Sequence, residues 1–196
     1  MAFLATETID FEPLAAGDYL ARCVTVAYLG LQRSKLEPQK AAKPKIALEF
    51  EIQGEFMENG LPLKLMAMFT MSLHKQSSLR PFLETWRGQP FDQSQLATFD
   101  VSKLLNVPAK LIIVHKAKQS GGVRAVIQTA FKIKSEQKAA VTPALSPLLL
   151  FDADSPDPAV LEQLPKFFQE QIAQAEKPAP KVQEPAVAGF DDDLDF

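Results

Sequence analysis

The segment 46–56 restricts the fold more than any other part of the chain. Ile46, Leu48, Phe50 and Ile52 alternate there with Ala47, Glu49, Glu51 and Gln53. A period of two puts successive side chains on opposite faces of a strand, whereas a helix would scatter the same apolar residues around its axis. The alternation predicts a half-buried strand with Glu49 and Glu51 facing solvent. Glu58-Asn59-Gly60 follows, and Asn-Gly tolerates the positive φ angles of a tight hairpin turn. Residues 61–71 then return as the next strand, with Leu63, Leu65, Ala67 and Phe69 on one face. A chain with this hairpin at its centre must build a sheet and cover at least one side of it.

The flanking sequence supplies more strands. Residues 17–29 carry Tyr19, Val24, Thr25, Val26 and Tyr28 before Gly30, which is expected to close the strand. Residues 109–116 and 123–133 form a second pair around the turn Ser120-Gly121-Gly122. Between the hairpins, Leu79, Phe82, Leu83 and Trp86 recur at helical spacing between Ser77-Ser78 and Gly88, and a short helix is expected over 92–99. The predicted fold is mainly β: a five-stranded OB-fold-like barrel with a helical insertion between the third and fourth strands, plus a disordered C-terminal tail. A generic α+β sandwich is the alternative.

Beyond residue 140 the pattern weakens. Pro143 and Pro147 flank the apolar run Leu148 to Phe151. Residues 157–173 suit an amphipathic helix with Leu161, Leu164, Phe168 and Ile172 on one side, interrupted or kinked at Pro165. Residues 177–188 lack an apolar period and read as an extended linker. The expected organisation is a domain over 1–135, an extension over 136–176, a linker over 177–188 and an acidic tail over 189–196.

Charge divides along the same line. Residues 1–140 hold 18 Lys and Arg against 13 Asp and Glu, a net of +5, and residues 141–196 hold 3 against 11, a net of −8. A basic body with an acidic end suits a nucleic-acid binder that also engages proteins. Single-strand binding needs cations for phosphates and aromatic faces for bases. The candidate cations are Arg33, Lys35, Lys40, Lys43 and Lys45 after the first strand, and Lys116, Lys118 and Arg124 around the last turn. Lys75, Arg80 and Arg87 beside the first helix can extend the track, and Tyr28 and Phe69 are the stacking candidates.

The sequence ends Gly189-Phe190-Asp191-Asp192-Asp193-Leu194-Asp195-Phe196. This resembles the tails of bacterial single-stranded-DNA-binding proteins, which finish in an acidic run, an aliphatic residue, a proline and phenylalanine. Here Asp195 stands in place of the proline and Leu194 in place of the usual isoleucine. The resemblance implies that Phe190, Asp191, Asp192, Asp193, Leu194, Asp195 and Phe196 bind partner proteins, an aromatic anchor entering an apolar pocket and aspartates meeting basic residues. In the body, Thr70-Met71-Ser72-Leu73-His74, then Leu79-Arg80, then Leu83-Glu84-x-Trp86-Arg87-Gly88 is similar to a family of phage-encoded single-stranded-DNA-binding proteins. That similarity implies binding and protection of single-stranded DNA during phage replication or recombination, in the cytoplasm of a bacterial host cell. Homo-oligomers are compatible with it.

Other classes fare less well. His74 and His115 sit in no metal or triad spacing, and no cysteine pair, phosphate-binding loop or dinucleotide fingerprint is present. Neither an enzyme nor a cofactor or metal requirement is expected. The lone Cys23 lies in a strand and is expected in the core, as suits a reducing compartment. Residues 1–11 lack the basic start of a signal peptide, and no apolar run approaches the roughly 18 residues that span a bilayer. The main rival is an adaptor that works through the tail without touching DNA.

Overall fold

The structure, a computed structural model, describes residues 12–34, 36–119 and 121–176. Its organising element is β1 (Gly17–Gln32), sixteen residues rich in β-branched and aromatic side chains. One edge of β1 pairs antiparallel with β2 (Lys43–Phe56), from Ala21↔Ile52 to Gln32↔Lys43. The other edge is shared. Its first part, Gly17 to Arg22, pairs antiparallel with β4 (Pro108–Ala117), and Thr25 to Tyr28 pair parallel with β6 (Leu149–Asp152). β3 (Pro62–Thr70) flanks β2, and β5 (Val123–Phe131) flanks β4. The order is β3-β2-β1-β4-β5, with β6 beside β1. β3 and β5 touch, but among the described residues no ladder joins them, so the sheet is open.

The sheet is therefore mainly antiparallel, with six strands among the described residues, one more than the alternation predicts. β6 escapes notice because it is only four residues long and follows two prolines. Gly30 also departs from expectation. It does not end β1 but lies within it at φ 76°, inside a register shift between Tyr28 and Leu31. A Cβ there would approach the Ala175 Cβ to 2.9 Å, so close packing and backbone angle both demand glycine.

The apolar face of the central hairpin behaves as its period requires. Ile46, Leu48, Phe50 and Ile52 are buried with Leu111 and Ile113 of β4. Helix α1 (Leu79–Arg87) closes this core with Leu79, Phe82, Leu83 and Trp86, and ends at Gly88 in the left-handed conformation. Trp86 packs 5.2 Å from the Phe50 ring and donates its indole N–H to the Pro108 carbonyl at 3.0 Å. The short helix α2 (Gln93–Thr98) begins with a capping box between Asp92 and Gln95.

The opposite face is covered too. β6, α3 (Pro158–Gln163) and α4 (Lys166–Ala173) bury Leu149, Phe151, Leu164 and Phe168 against Ala27, Leu29 and Ala47. Pro165 splits the helical pattern into these two short helices. Consequently Glu49 and Glu51 do not face solvent: they are 6% and 7% exposed. Thr25 donates its hydroxyl to the Glu49 carboxylate at 2.8 Å, and Lys64 lies 3.3 Å from it. Glu51 accepts backbone N–H groups of Leu145 at 2.8 Å and Ser146 at 2.6 Å. Cys23 is buried, its thiol pushed far upward by desolvation and then by the charge of Glu49. None of the described helices is long and apolar enough to cross a membrane.

Burial alone would raise the Glu51 pKa, but hydrogen bonds from Ser146 and Leu145, with the charge of Lys64, hold it below the ordinary 4.5. A depressed folded value means that this stability is complete above the unfolded pKa and is lost as pH falls through the folded one. Glu51→Gln keeps the shape but turns an amide N–H toward a backbone donor. It should cost about 1–3 kcal/mol at neutral pH, with the deficit closing in acid. Urea denaturation of both proteins across that range checks this; equal stability at neutral pH would mean that other contacts hold residues 145–146.

Candidate nucleic-acid interface

The turn after β1 is basic in sequence but ordered by one of its own cations. Arg33 spreads a planar fork of donors across three partners. Its Nε and Nη2 meet the Glu176 carboxylate at 2.5 and 3.0 Å, and its Nη1 donates to the Pro38 and Lys40 carbonyls at 2.9 and 2.7 Å. Glu176 also returns its backbone to Leu31. Arg33 therefore acts on the loop and the chain end of α4, and its donors are largely committed. Lys40 pairs with Glu37 at 2.5 Å. Lys35 lies outside the described residues.

Lys43 and Lys45 differ. Among the described residues neither has a carboxylate partner. Lys45 donates to the Thr70 hydroxyl at 2.9 Å across the β2–β3 ladder. Its pKa is lowered, first by desolvation and then by the neighbouring charge of Lys43. An ammonium held that way gains from an incoming anion, which restores the charge balance that burial and repulsion disturb.

These lysines line a cleft of about 670 Å³. The loop forms one wall, Met68 and Thr70 of β3 the floor, and Phe167, Gln171 and Gln174 the wall from α4. Met68 is 36% and Phe167 41% exposed, so apolar surface and unpaired cations share one hollow. β3 continues the apolar path. Leu65 and Phe69 face the core, which turns Lys64, Met66, Met68 and Thr70 outward, with Met66 44% exposed.

The other predicted cations are dispersed. Lys116 and Arg124 are exposed and directly opposite each other on β4 and β5, with Lys118 in the following turn. Like charges facing across a ladder repel, and an anion would relieve them. This end of the sheet lies beside the start of β1, where Gly17 pairs with Ile113, whereas the 33–42 loop is at the other end. The outer face of β3 leads away from that loop, from Thr70 opposite Lys45 to Lys64 opposite Glu51. Lys75 is exposed in the turn before α1. Arg80 pairs with Glu84 at 2.9 Å. Arg87 lies 4.2 Å over the Phe91 ring and donates to Gln95 at 3.0 Å. Those contacts hold α1 to the following turn, away from the cleft lining.

Neither predicted stacking residue reaches the cleft. Phe69 packs against Phe82 with ring centroids 4.8 Å apart. Tyr28 borders a different hollow, shared with Asp100, Asp152 and Asp154. Its pKa is raised by desolvation and by Asp154 and Asp152, surroundings that repel phosphate. The aromatic that lines the cleft is Phe167, which the helical pattern passed over. A signal was present: adjacent residues on a helix point about 100° apart, so Phe167 and Phe168 cannot both centre on one buried stripe.

No group of three or more His, Cys, Asp or Glu among the described residues is arranged to hold a metal ion. The His115 ring contacts the Leu14 carbonyl at 2.8 Å and His74 accepts the Gln76 N–H at 3.2 Å, so each imidazole meets backbone. The segment 189–196 lies outside the described residues. No family model and no curated protein matches the chain.

If Arg33 orders the cleft wall, Arg33→Ala should speed trypsin cleavage between Lys40 and Ala41 severalfold without changing global unfolding. An unaltered cleavage rate would show that the loop is held without this side chain.

Proposed function

We propose that the chain binds single-stranded DNA without strong sequence preference, with the cleft between the 33–42 loop, β3 and α4 as the centre of its binding surface. The observation that carries this reading is the pair Lys43 and Lys45, uncompensated by carboxylates among the described residues, on a hollow that also exposes Met68 and Phe167. Cations take phosphates and apolar faces take bases, while a duplex keeps its bases stacked inside and can use only the cations. The strand order adds support. β3-β2-β1-β4-β5 with β3 touching β5 is compatible with a Greek-key barrel of OB type opened at one seam. In that fold the face of strands 2 and 3, with the loops joining strands 1–2 and 4–5, binds oligonucleotides. Lys116, Lys118 and Arg124 then lie at the far end of the path.

On this reading the protein protects single strands during phage replication or recombination in the cytoplasm of a bacterial host. The acidic segment 189–196 recruits partner proteins. The role of that segment rests on its resemblance to bacterial tails and on its mixture of aromatic and acidic residues, which suits an apolar pocket rimmed by bases.

Titration of a labelled oligonucleotide at two salt concentrations tests the core of the proposal. Single strands should bind more tightly than duplex of equal length. Lys43→Glu with Lys45→Glu should weaken binding and flatten the salt slope by about 1.4, or roughly 0.7 for each phosphate left unneutralised. Equal affinity for duplex, or an unchanged slope in the folded variant, counts against it. Removing residues 189–196 should leave oligonucleotide affinity at least as high, the rise greatest at low salt where acids compete for the same cations. Pull-down of host replication or repair proteins should disappear. A truncation that abolishes DNA binding and keeps the pull-down reverses the proposed roles.

A further inference from the structure

The two sides of the cleft come from distant parts of the chain, and the side contributed by α4 has no assigned role. α4 is anchored from beneath: Phe168 is fully buried with Leu164 against β1 and β2. The next side chain around the helix, Phe167, is consequently turned out of that core, its ring centroid 6.2 Å from that of Phe168. It lines the same hollow as Met68, which rises from the outer face of β3. Gln171 and Gln174 of the same stretch rim the hollow with carboxamides, which donate and accept hydrogen bonds in one group. Lys43 and Lys45 line the same hollow, Lys45 beside Thr70 of β3. The one carboxylate among the described lining residues, Glu37, is already paired with Lys40.

We infer that Phe167, with Met68 beside it, is a stacking platform for an unpaired base, so that α4 completes the nucleic-acid site. This rests on the reading of the cleft as a single-strand binding surface and adds where the base goes. Charge complementarity selects a polyanion. A flat apolar ring in one hollow with two ammonium groups that have no carboxylate partner among the described residues suits a base and its own phosphates better than it suits a peptide. The helix that carries the ring is packed through Phe168, so little backbone order has to be gained on binding. The Arg33–Glu176 fork ties the end of this stretch to the loop that leads into Lys43 and Lys45 at the start of β2.

The test titrates an oligothymidylate into the full chain, Phe167→Ala, Phe167→Trp and the Lys43→Glu, Lys45→Glu double variant, with a duplex control. Phe167→Ala should weaken single-strand affinity roughly 5- to 150-fold, the range of one base–aromatic stack, with its salt slope unchanged because every phosphate-binding cation remains. Phe167→Trp should keep the affinity, and its added fluorescence should be quenched as the oligonucleotide binds; Trp86, 4% exposed, supplies the background. Wild-type affinity in a folded Phe167→Ala, or an unquenched tryptophan in a Phe167→Trp variant that still binds, overturns the platform while leaving the lysine cleft intact. Failure of the unaltered chain to bind, or its indifference to the double charge reversal, overturns the parent reading and the platform with it.

Discussion

The architecture depends on β1 being bonded along both edges for nearly its whole length. A strand has two rows of backbone donors and acceptors, and any row buried without partners costs as much as the hydrogen bonds it fails to make. β2 satisfies one row. The other begins with β4, but that pairing ends at Arg22 opposite Pro108, where the chain enters the turn at Asn106. Cys23 bridges the gap, donating to the Val107 carbonyl at 3.1 Å and accepting from Asn106 at 2.8 Å. From Thr25 onward β6 takes over in parallel register. Residues Leu149–Asp152 are thus part of the sheet, and without them the second half of β1 would present an open edge.

From this edge-sharing the second layer follows. Once β6 lies beside β1, the chain that leads to it must cross the outer face of β2, and there it meets Glu51. A carboxylate can accept several N–H groups at once, and two consecutive backbone donors at 145 and 146 use that capacity. Glu49 is satisfied by Thr25 and Lys64. Both acids are buried with partners, the condition under which burial of charge is tolerated. They are also neutralised as obstacles to phosphate. A polyanion approaching the outer face of β3 meets Lys64 and the methionines, with the glutamates covered.

Much of this was legible in particular residues. The alternation from Ile46 to Ile52 locates β2 and its core face, and the spacing of Leu79, Phe82, Leu83 and Trp86 locates α1, all four of which are buried. Misread features share a physical origin: each depends on a partner far away in sequence. A glutamate on the polar side of a strand looks solvated until a segment 94 residues later covers it. Arg33 looks like a free cation until Glu176, 143 residues on, meets its fork. Gly30 looks like a terminator until Ala175 shows why a Cβ is excluded. Local pattern reports period and turn chemistry; it is silent on which long-range contact consumes a charge.

The same logic separates the cations that remain available from those that do not. Of the predicted set, Arg33, Lys40 and Arg80 are paired with carboxylates, while Arg87 lies over the Phe91 ring and donates to Gln95, its Nη1 without a hydrogen-bond partner among the described residues. Lys43 and Lys45 repel each other at the start of β2, and Lys116 faces Arg124 across a ladder. Such like-charge pairs destabilise the isolated fold. Among the described residues neither of these pairs has a carboxylate to relieve it. Charge number alone, −3 for the whole chain, conceals this distribution; under the proposed function these are the cations that an extended anion would relieve.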